Sequence, residues 1–263
     1  MTLPITAIIC AHDEAGYLRT TLAHLVRNGI RLMVIDNGST DATPAILDEF
    51  APQIVAREVL PWHGELDLVA ILERKAALAA QVREGWIIHQ DSDEILESHD
   101  PHESLRAAIE RIDRTPANTV NFEEFVFLPT GGDSLAGRDF HALAHHYYFH
   151  EPQTHRLMRA WRANAGLSQV EGGHRLSDQG RVLHPRNLVL RHYPFLDLQH
   201  AKDKYSQRRF ARWDVVPADM EVPNLTPLKT WTAGQPLDTS DPWPRHYWLE
   251  RKLARLGGQP ARN

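Results

Sequence analysis

A short apolar run, Gly85-Trp86-Ile87-Ile88-His89-Gln90, hands the chain directly to Asp91-Ser92-Asp93-Glu94. The run suits a buried strand, so three carboxylates are delivered to its carboxyl end. In an extended chain, residues two apart project to one side, which would bring Asp91 and Asp93 toward a common divalent cation while Ser92 turns away. Oxygen ligands suit Mg²⁺ or Mn²⁺, ions commonly held by one or two carboxylates with substrate phosphates completing the shell. The pattern therefore points to a phosphorylated substrate. Acidic residues after a strand also serve as turn formers or helix caps, so the rest of the chain must decide between the two uses.

A chain of 263 residues with 42% hydrophobic residues can bury a substantial core, and it fits one α/β domain with embellishments. Its net charge of -5 argues against a nucleic-acid binder, whose phosphate contacts need a surplus of Lys and Arg. Cys10 is the only cysteine and lies in an apolar run, so there is no disulfide framework and a reducing compartment is expected. The first apolar run, Ile5 to Ala11, lacks a preceding basic region and is too short to span a bilayer. A cytoplasmic protein without a transmembrane segment is expected, with peripheral membrane contact left open.

Along the first hundred residues, strand and helix signals alternate. Strands are expected at Ile5 to Ala11, Ile30 to Ile35, Ile54 to Val59 and Gly85 to Gln90. Helices are expected at Ala15 to Asn28, Ala42 to Phe50, Asp67 to Arg83 and Glu103 to Arg114. Such alternation implies a mainly parallel sheet flanked by helices, with right-handed crossovers. Beyond it, Val120 to Leu128 alternates as an antiparallel or edge strand would, and Val182 to His192 reads as a strand pair. The histidine-rich stretch from Gly131 to His155 has no clear assignment, a loop over the site being one reading of it. His200 to Arg212 reads as a charged helix, Pro217 to Pro244 as an irregular tail, and Arg245 to Arg255 as a short terminal helix. The expected organisation is one domain over 1–215, with halves of about 1–115 and about 116–215, then a Pro-rich extension over 216–263.

Ligands of such sheets bind outside the carboxyl ends of the strands. The loops Ala11 to Glu14, Asp36 to Asp41 and Asp91 to Glu94 all follow strands, so three separate stretches should meet at one edge.

Thr6-Ala7-Ile8-Ile9-Cys10-Ala11-His12-Asp13-Glu14, Val34-Ile35-Asp36-Asn37-Gly38-Ser39-Thr40-Asp41-Ala42-Thr43 and Gln90-Asp91-Ser92-Asp93-Glu94 together resemble the family 2 glycosyltransferases of the GT-A fold. The resemblance covers roughly the first hundred residues. It implies a nucleoside-diphosphate sugar donor of the UDP or GDP type, a divalent Mn²⁺ or Mg²⁺, and a carbohydrate or glycoconjugate acceptor. Inversion is favoured over retention, and a place in polysaccharide or glycoconjugate synthesis is expected. Ala11, Glu14 and Asp36 match the residues that recognise the nucleoside. Arg74 stands where relatives carry an Arg-Asn pair on the preceding helix, although Lys75 replaces the Asn here. Asp91 would contact ribose or metal, Asp93 would be the principal metal ligand, and His192, closing Val189-Leu190-Arg191-His192, the further ligand. Glu171-Gly172-Gly173-His174 offers an acid and an imidazole around a glycine pair, with Glu171 the first choice of catalytic base and His174 the second. Relatives more often use an Asp as base.

Simpler readings stand beside these. Arg74 also reads as an ordinary exposed arginine, Gly172-Gly173 as a plain turn, and Lys202, Lys204, Arg208, Arg209 and Arg212 as a solvated face. Rival functions are a non-catalytic nucleotide-sugar-binding module and a metal-dependent phosphohydrolase. A nucleotidyltransferase is disfavoured, because the loop after the first strand, Ala11-His12-Asp13-Glu14, is acidic where a basic glycine-rich loop would be needed.

Overall fold

The computed structural model describes residues 2–130, 134–150, 157–170, 173–207 and 228–242. In chain order the first elements are β1 (Ile5–Ala11), α1 (Ala15–Arg27), β2 (Arg31–Asp36), α2 (Thr43–Glu49), β3 (Ile54–Val59), α3 (Leu68–Ala79) and β4 (Trp86–Gln90). They are followed by β5 (Glu94–Glu97), α4 (Leu105–Asp113), β6 (Thr119–Val120), β7 (Phe122–Leu128), α5 (Phe140–Leu143) and β8 (His146–Phe149). The last are β9 (Ala160–Arg162), β10 (Gln169–Val170), β11 (Arg175–Leu176), β12 (Leu188–His192), α6 (Leu198–Gln207) and β13 (Lys229–Thr230).

The first sheet has the order β3-β2-β1-β4-β9-β6. Its β3, β2, β1 and β4 run parallel, while β9 is antiparallel to both its neighbours. Central β1 and β4 are apolar almost throughout because helices cover both faces, and the buried core includes Ile9, Leu22, Leu25, Val34, Trp86 and Ile88. Each such side chain contributes about 1.5–3 kcal/mol on burial.

Helix starts follow local chemistry. Asp67 caps α3 by accepting from the backbone of Val69 and Ala70, and Ser104 caps α4 by accepting from Ala107. The cap of α3 lies where expected, but the helix stops at Ala79, four residues before Arg83.

A second sheet, ordered β13-β8-β7-β12-β5, packs beside the first. Sequence alternation described its centre only partly. The stretch from Val120 to Leu128 divides at Asn121 between the two sheets, and β7 lies inside the second, parallel to β12 and antiparallel to β8. Asn121 supports the division by donating its side-chain amide to Asn187 Oδ1 at 3.1 Å and accepting from Leu157 N at 2.9 Å. Val182 to His192 forms one strand, not two, with Leu183 making only an isolated bridge to Thr119. Within the unassigned histidine-rich stretch lie α5 and β8.

Part of the expected tail is built into this sheet. Lys229–Thr230 pairs with β8, Trp231 is buried, and the Tyr147 hydroxyl donates to Asp238 O at 3.0 Å. The expected terminal helix at 245–255, Glu171, and the arginines at 208, 209 and 212 lie outside the described residues. Among the described residues, no helix is long and apolar enough to cross a membrane.

Candidate active site

Strand register assembles the site. Ala11 at the end of β1 pairs with Asp36 at the end of β2, and Gln90 at the end of β4 pairs with Ile9 two residues earlier on β1. The three loops that leave these strands therefore emerge side by side at one edge of the sheet.

The first two loops are stitched together. Asn37 N donates to Ala11 O at 2.8 Å, and Glu14 N donates to the Thr43 hydroxyl at 2.9 Å. Asp13 sits in the left-handed region at φ 53, which Asp tolerates better than most residues, and its carboxylate accepts from Thr40 N at 2.6 Å and Asp41 N at 3.1 Å. Asp41 in turn accepts from Ala15 N at 3.0 Å, so the second loop caps the helix that follows the first. Asp36 is buried and accepts from Ser39 N at 2.9 Å, which occupies one carboxylate oxygen in a local turn. Gly38 turns at φ 65 directly under Trp62, where a side chain would meet Trp62 at 2.8 Å. The Trp62 ring stacks on His12 with centroids 3.7 Å apart, and His12 Nδ1–H donates to Asn37 O at 2.7 Å.

The acidic turn is organised differently from the extended geometry read from sequence. Residues 91–93 form a turn, and Asp91 and Asp93 engage separate partners. Asp91 Oδ2 accepts from Arg159 Nη2 at 2.9 Å, while Oδ1 lies 3.5 Å from Lys75 Nζ and 3.2 Å from His89 Nε2. Burial works to raise the Asp91 pKa, but Arg159, His89 and Lys75 override it and hold the carboxyl well below the usual carboxylate range. Arg159 also pairs with Glu94, and it is fully buried in doing so. Burial, with the neighbouring Asp91 and Asp93 charges, pushes Glu94 up to about 7 against the pull of Arg159.

Asp93 faces the end of β12. His192 Nε2 lies 3.6 Å from Asp93 Oδ2, and His192 Nδ1–H donates to Glu124 Oε1 at 2.9 Å. Burial disfavours the imidazolium, yet Asp93 and Glu124 together lift His192 to about 10. Register explains the meeting: on β12 His192 pairs with Glu94 of β5, and Glu124 lies opposite Leu190, two residues before His192 on the same face. A histidine whose Nδ1–H is fixed by a carboxylate while Nε2 faces a second carboxylate is the usual outer-shell arrangement of a metal-binding imidazole. By donor chemistry, Asp93 and His192 fit a Mn²⁺ or Mg²⁺ ion. Among the described residues, the one His/Asp/Glu trio whose ligand atoms all lie within 4.8 Å of one another is elsewhere, so Asp91 is not drawn equally close to this pair.

Arg74 is not brought to the aspartates. It is half exposed and pairs with Glu58 of β3, Nε to Oε2 at 3.3 Å. Its neighbour Lys75 enters the site instead, buried on the same face of α3 as Ile71 and Leu78. That i, i+4, i+7 placement of a lysine on an apolar stripe was the available sequence signal. Arg159, His89 and Glu124 were missed because each becomes meaningful only through strand pairing. His174 is exposed on the segment before β11, where its backbone carbonyl accepts from Met158 N at 2.8 Å. Beside it Gly173, at φ 87, packs so tightly on His89 and Leu72 that a Cβ would meet each at 2.9 Å. Gly173 thus borders the Asp91 environment.

Comparisons with known proteins follow the same motifs. Residues 6–127 match the family described as Glycosyl transferase family 2. No curated protein matches the chain. Among solved structures, S. aureus TarS 1-349 is similar over 77% of this chain and 62% of its own, at 13% identity and a TM-score of 0.45. The same protein in complex with UDP is similar over 49% of this chain and 37% of its own, at 17% identity and a TM-score of 0.37. Glucosyl-3-phosphoglycerate synthase from Mycobacterium tuberculosis, in complex with Mn²⁺, UDP and glucosyl-3-phosphoglycerate, is similar over 49% of this chain and 45% of its own, at 18% identity and a TM-score of 0.31. The chain spans between 37% and 62% of the length of these proteins. Its α/β architecture, with a mainly parallel sheet flanked by helices, is that of the GT-A fold. The match to glycosyl transferase family 2 extends over residues 6–127, just under half of the chain.

Proposed function

We propose that this chain transfers a sugar from a nucleoside-diphosphate sugar of the UDP or GDP type to a hydroxyl of a carbohydrate or glycoconjugate acceptor. The observation that carries the reading is the meeting of Asp36, Asp91 and Asp93 at one sheet edge, with His192 3.6 Å from Asp93. The family match over residues 6–127 supports it.

In this reading Asp36 and the Ala11–Glu14 loop bind the nucleoside, and the stacked His12–Trp62 pair offers the base a flat surface beside Asn37. Mn²⁺ or Mg²⁺, when bound by Asp93 and His192, supplies positive charge against the leaving diphosphate. Glu124 keeps His192 aimed at Asp93, and Arg159 keeps Asp91 ionised and oriented. Lys75 contributes a fixed positive charge behind Asp91. Arg74, on the side of α3 toward Glu58, is the more peripheral donor contact.

The acceptor oxygen attacks the anomeric carbon as the bond to the diphosphate oxygen breaks. The bonding pair leaves with the diphosphate, and the acceptor proton passes to a base. Glu171 is the proposed base and His174 the alternative, and attack opposite the leaving group inverts the anomeric centre. The test is product analysis with a panel of labelled nucleotide sugars and simple glycan acceptors, with and without Mn²⁺. Release of a nucleoside diphosphate together with a labelled glycan supports the proposal. Release of inorganic phosphate, or binding without turnover on any donor, contradicts it.

A further inference from the structure

A second cluster lies away from the edge that holds Asp36 and Asp93. Glu97 closes β5 three residues after Glu94, roughly 10 Å farther along the strand at about 3.3 Å per residue. It meets His24 from the last turns of α1 and His141 from α5. One ligand atom from each of the three lies within 4.8 Å of the other two. The His141 Nε2 to Glu97 Oε1 distance is 3.0 Å. Tetrahedral zinc with bonds near 2.0–2.1 Å spaces its ligand atoms by roughly 3.3 Å, against 3.0 Å for this pair and no more than 4.8 Å for the other two.

Each ligand is already oriented from behind. His24 Nε2 lies 2.9 Å from Leu96 O, which can only accept, so that nitrogen carries the proton and the other ring nitrogen keeps its lone pair. His141 Nδ1 lies 3.0 Å from the Tyr193 hydroxyl, and Glu97 Oε2 lies 2.6 Å from Arg191 Nε. Outer contacts of this kind fix the rings and carboxylates of metal sites. The cluster opens into a cavity of about 530 Å³ that is also lined by Arg27, Arg191 and Trp231. Water or an anionic group can therefore reach a fourth coordination position.

We propose that His24, Glu97 and His141 form a second metal site, separate from the Asp93–His192 pair, that binds one Zn²⁺ or a similar nitrogen-preferring transition metal. Two imidazoles and one carboxylate with an open position are a zinc-type donor set, in contrast to the harder set at the sheet edge. By joining α1, β5 and α5, the ion would fasten the first sheet's helix layer to the second sheet.

The experiment uses chelator-stripped full-length chain loaded with Zn²⁺, freed of excess by gel filtration, and measured for zinc by mass spectrometry. Asp93→Asn removes the first site. It should retain about one equivalent of zinc, whereas Asp93→Asn combined with His141→Asn should retain at least tenfold less under the same wash. Glu97→Gln in the same background gives an independent second removal, and far-UV circular dichroism establishes that the variants compared are folded. Co²⁺ bound to the Asp93→Asn protein should show visible absorption of four- or five-coordinate intensity. The proposal is overturned if folded Asp93→Asn protein retains no zinc, or if the folded double variants retain as much as Asp93→Asn alone.

Discussion

Arg159, fully buried just before β9, donates to Asp91 at 2.9 Å across 68 residues of sequence. The antiparallel pairing of β4 with β9 brings it there, aligning Ile88 with Ala160 and joining His89 N to Arg159 O at 2.8 Å. Asp91 and Glu94 share this one guanidinium, so the carboxylates that follow β4 depend on a strand the amino-terminal motifs do not contain.

Removing that cation should be costly for stability as well as activity. Arg159→Met leaves Asp91 and Glu94 without their buried partner, and breaking a buried pair of this kind costs about 3–5 kcal/mol. Urea denaturation should show a loss in that range. A loss below about 1 kcal/mol would mean that the guanidinium is not the organising charge.

Asp36 and Asp93 should fail differently. In the proposed reading Asp36 holds the nucleoside, where binding is felt alike in ground and transition states, so Asp36→Ala should chiefly raise KM. Asp93 is proposed to hold the cation that meets the leaving-group charge, so Asp93→Asn should lower kcat by about 10²-fold or more. Steady-state kinetics of the two variants checks this. Equal effects on both constants would contradict the division of roles.

Two glycines with positive φ separate backbone strain from crowding. Gly173→Ala would press a Cβ against His89 and Leu72, whereas at Gly137, φ 69, nothing lies within 4 Å. Both alanines bear strain of about 1 kcal/mol or more, but overpacking adds about 1–3 kcal/mol at Gly173 alone. Thermal melts should therefore place Gly173→Ala several degrees below Gly137→Ala, with activity lost only in the former.

Cys10 gives a pH-dependent readout of the core. Burial pushes its thiol up to about 11, with Lys75 opposing and Asp91 reinforcing the shift. The thiolate is the reactive form, so reaction with a chromogenic disulfide should be slow at pH 8 in the folded chain and faster as pH rises toward 11. The raised pKa means that the folded state holds the proton more tightly than the unfolded one. This group's contribution to stability is therefore present below about 9 and lost as pH climbs through 11. In denaturant the thiol should react at the rate of an ordinary cysteine, and equal rates in the two states would refute its burial.

Much of the first sheet was legible because its information is local. Continuous apolar runs marked β1, β2 and β4, and the cap at Asp67 marked the start of α3. Asp36 was visible because it closes a strand, and Asp93 because it stands in the turn just beyond one. What escaped depends on pairing between distant strands. Asn121, an amide that divides two strands, carries no periodic signal, and the burial of Arg159 comes from β4 and Glu94. Lys75 was seen only as a departure from an expected Asn, although its place between Ile71 and Leu78 marks an inward lysine. The tail around Trp231 looked irregular because its two-residue strand is fixed by β8 and by Arg191, whose guanidinium lies 3.9 Å from the Trp231 ring centroid.

The central claim is that the three strand-end loops form one nucleoside-diphosphate site with Asp93 and His192 as its metal-holding pair. The most direct measurement is thermal denaturation of wild-type and Asp93→Asn chains with UDP and GDP, each with and without Mn²⁺. A ligand confined to the native state raises Tm by mass action. The expected result is a rise with at least one nucleotide that requires Mn²⁺ and disappears in Asp93→Asn. No rise with either nucleotide, or a rise equally large in Asp93→Asn, would contradict the claim.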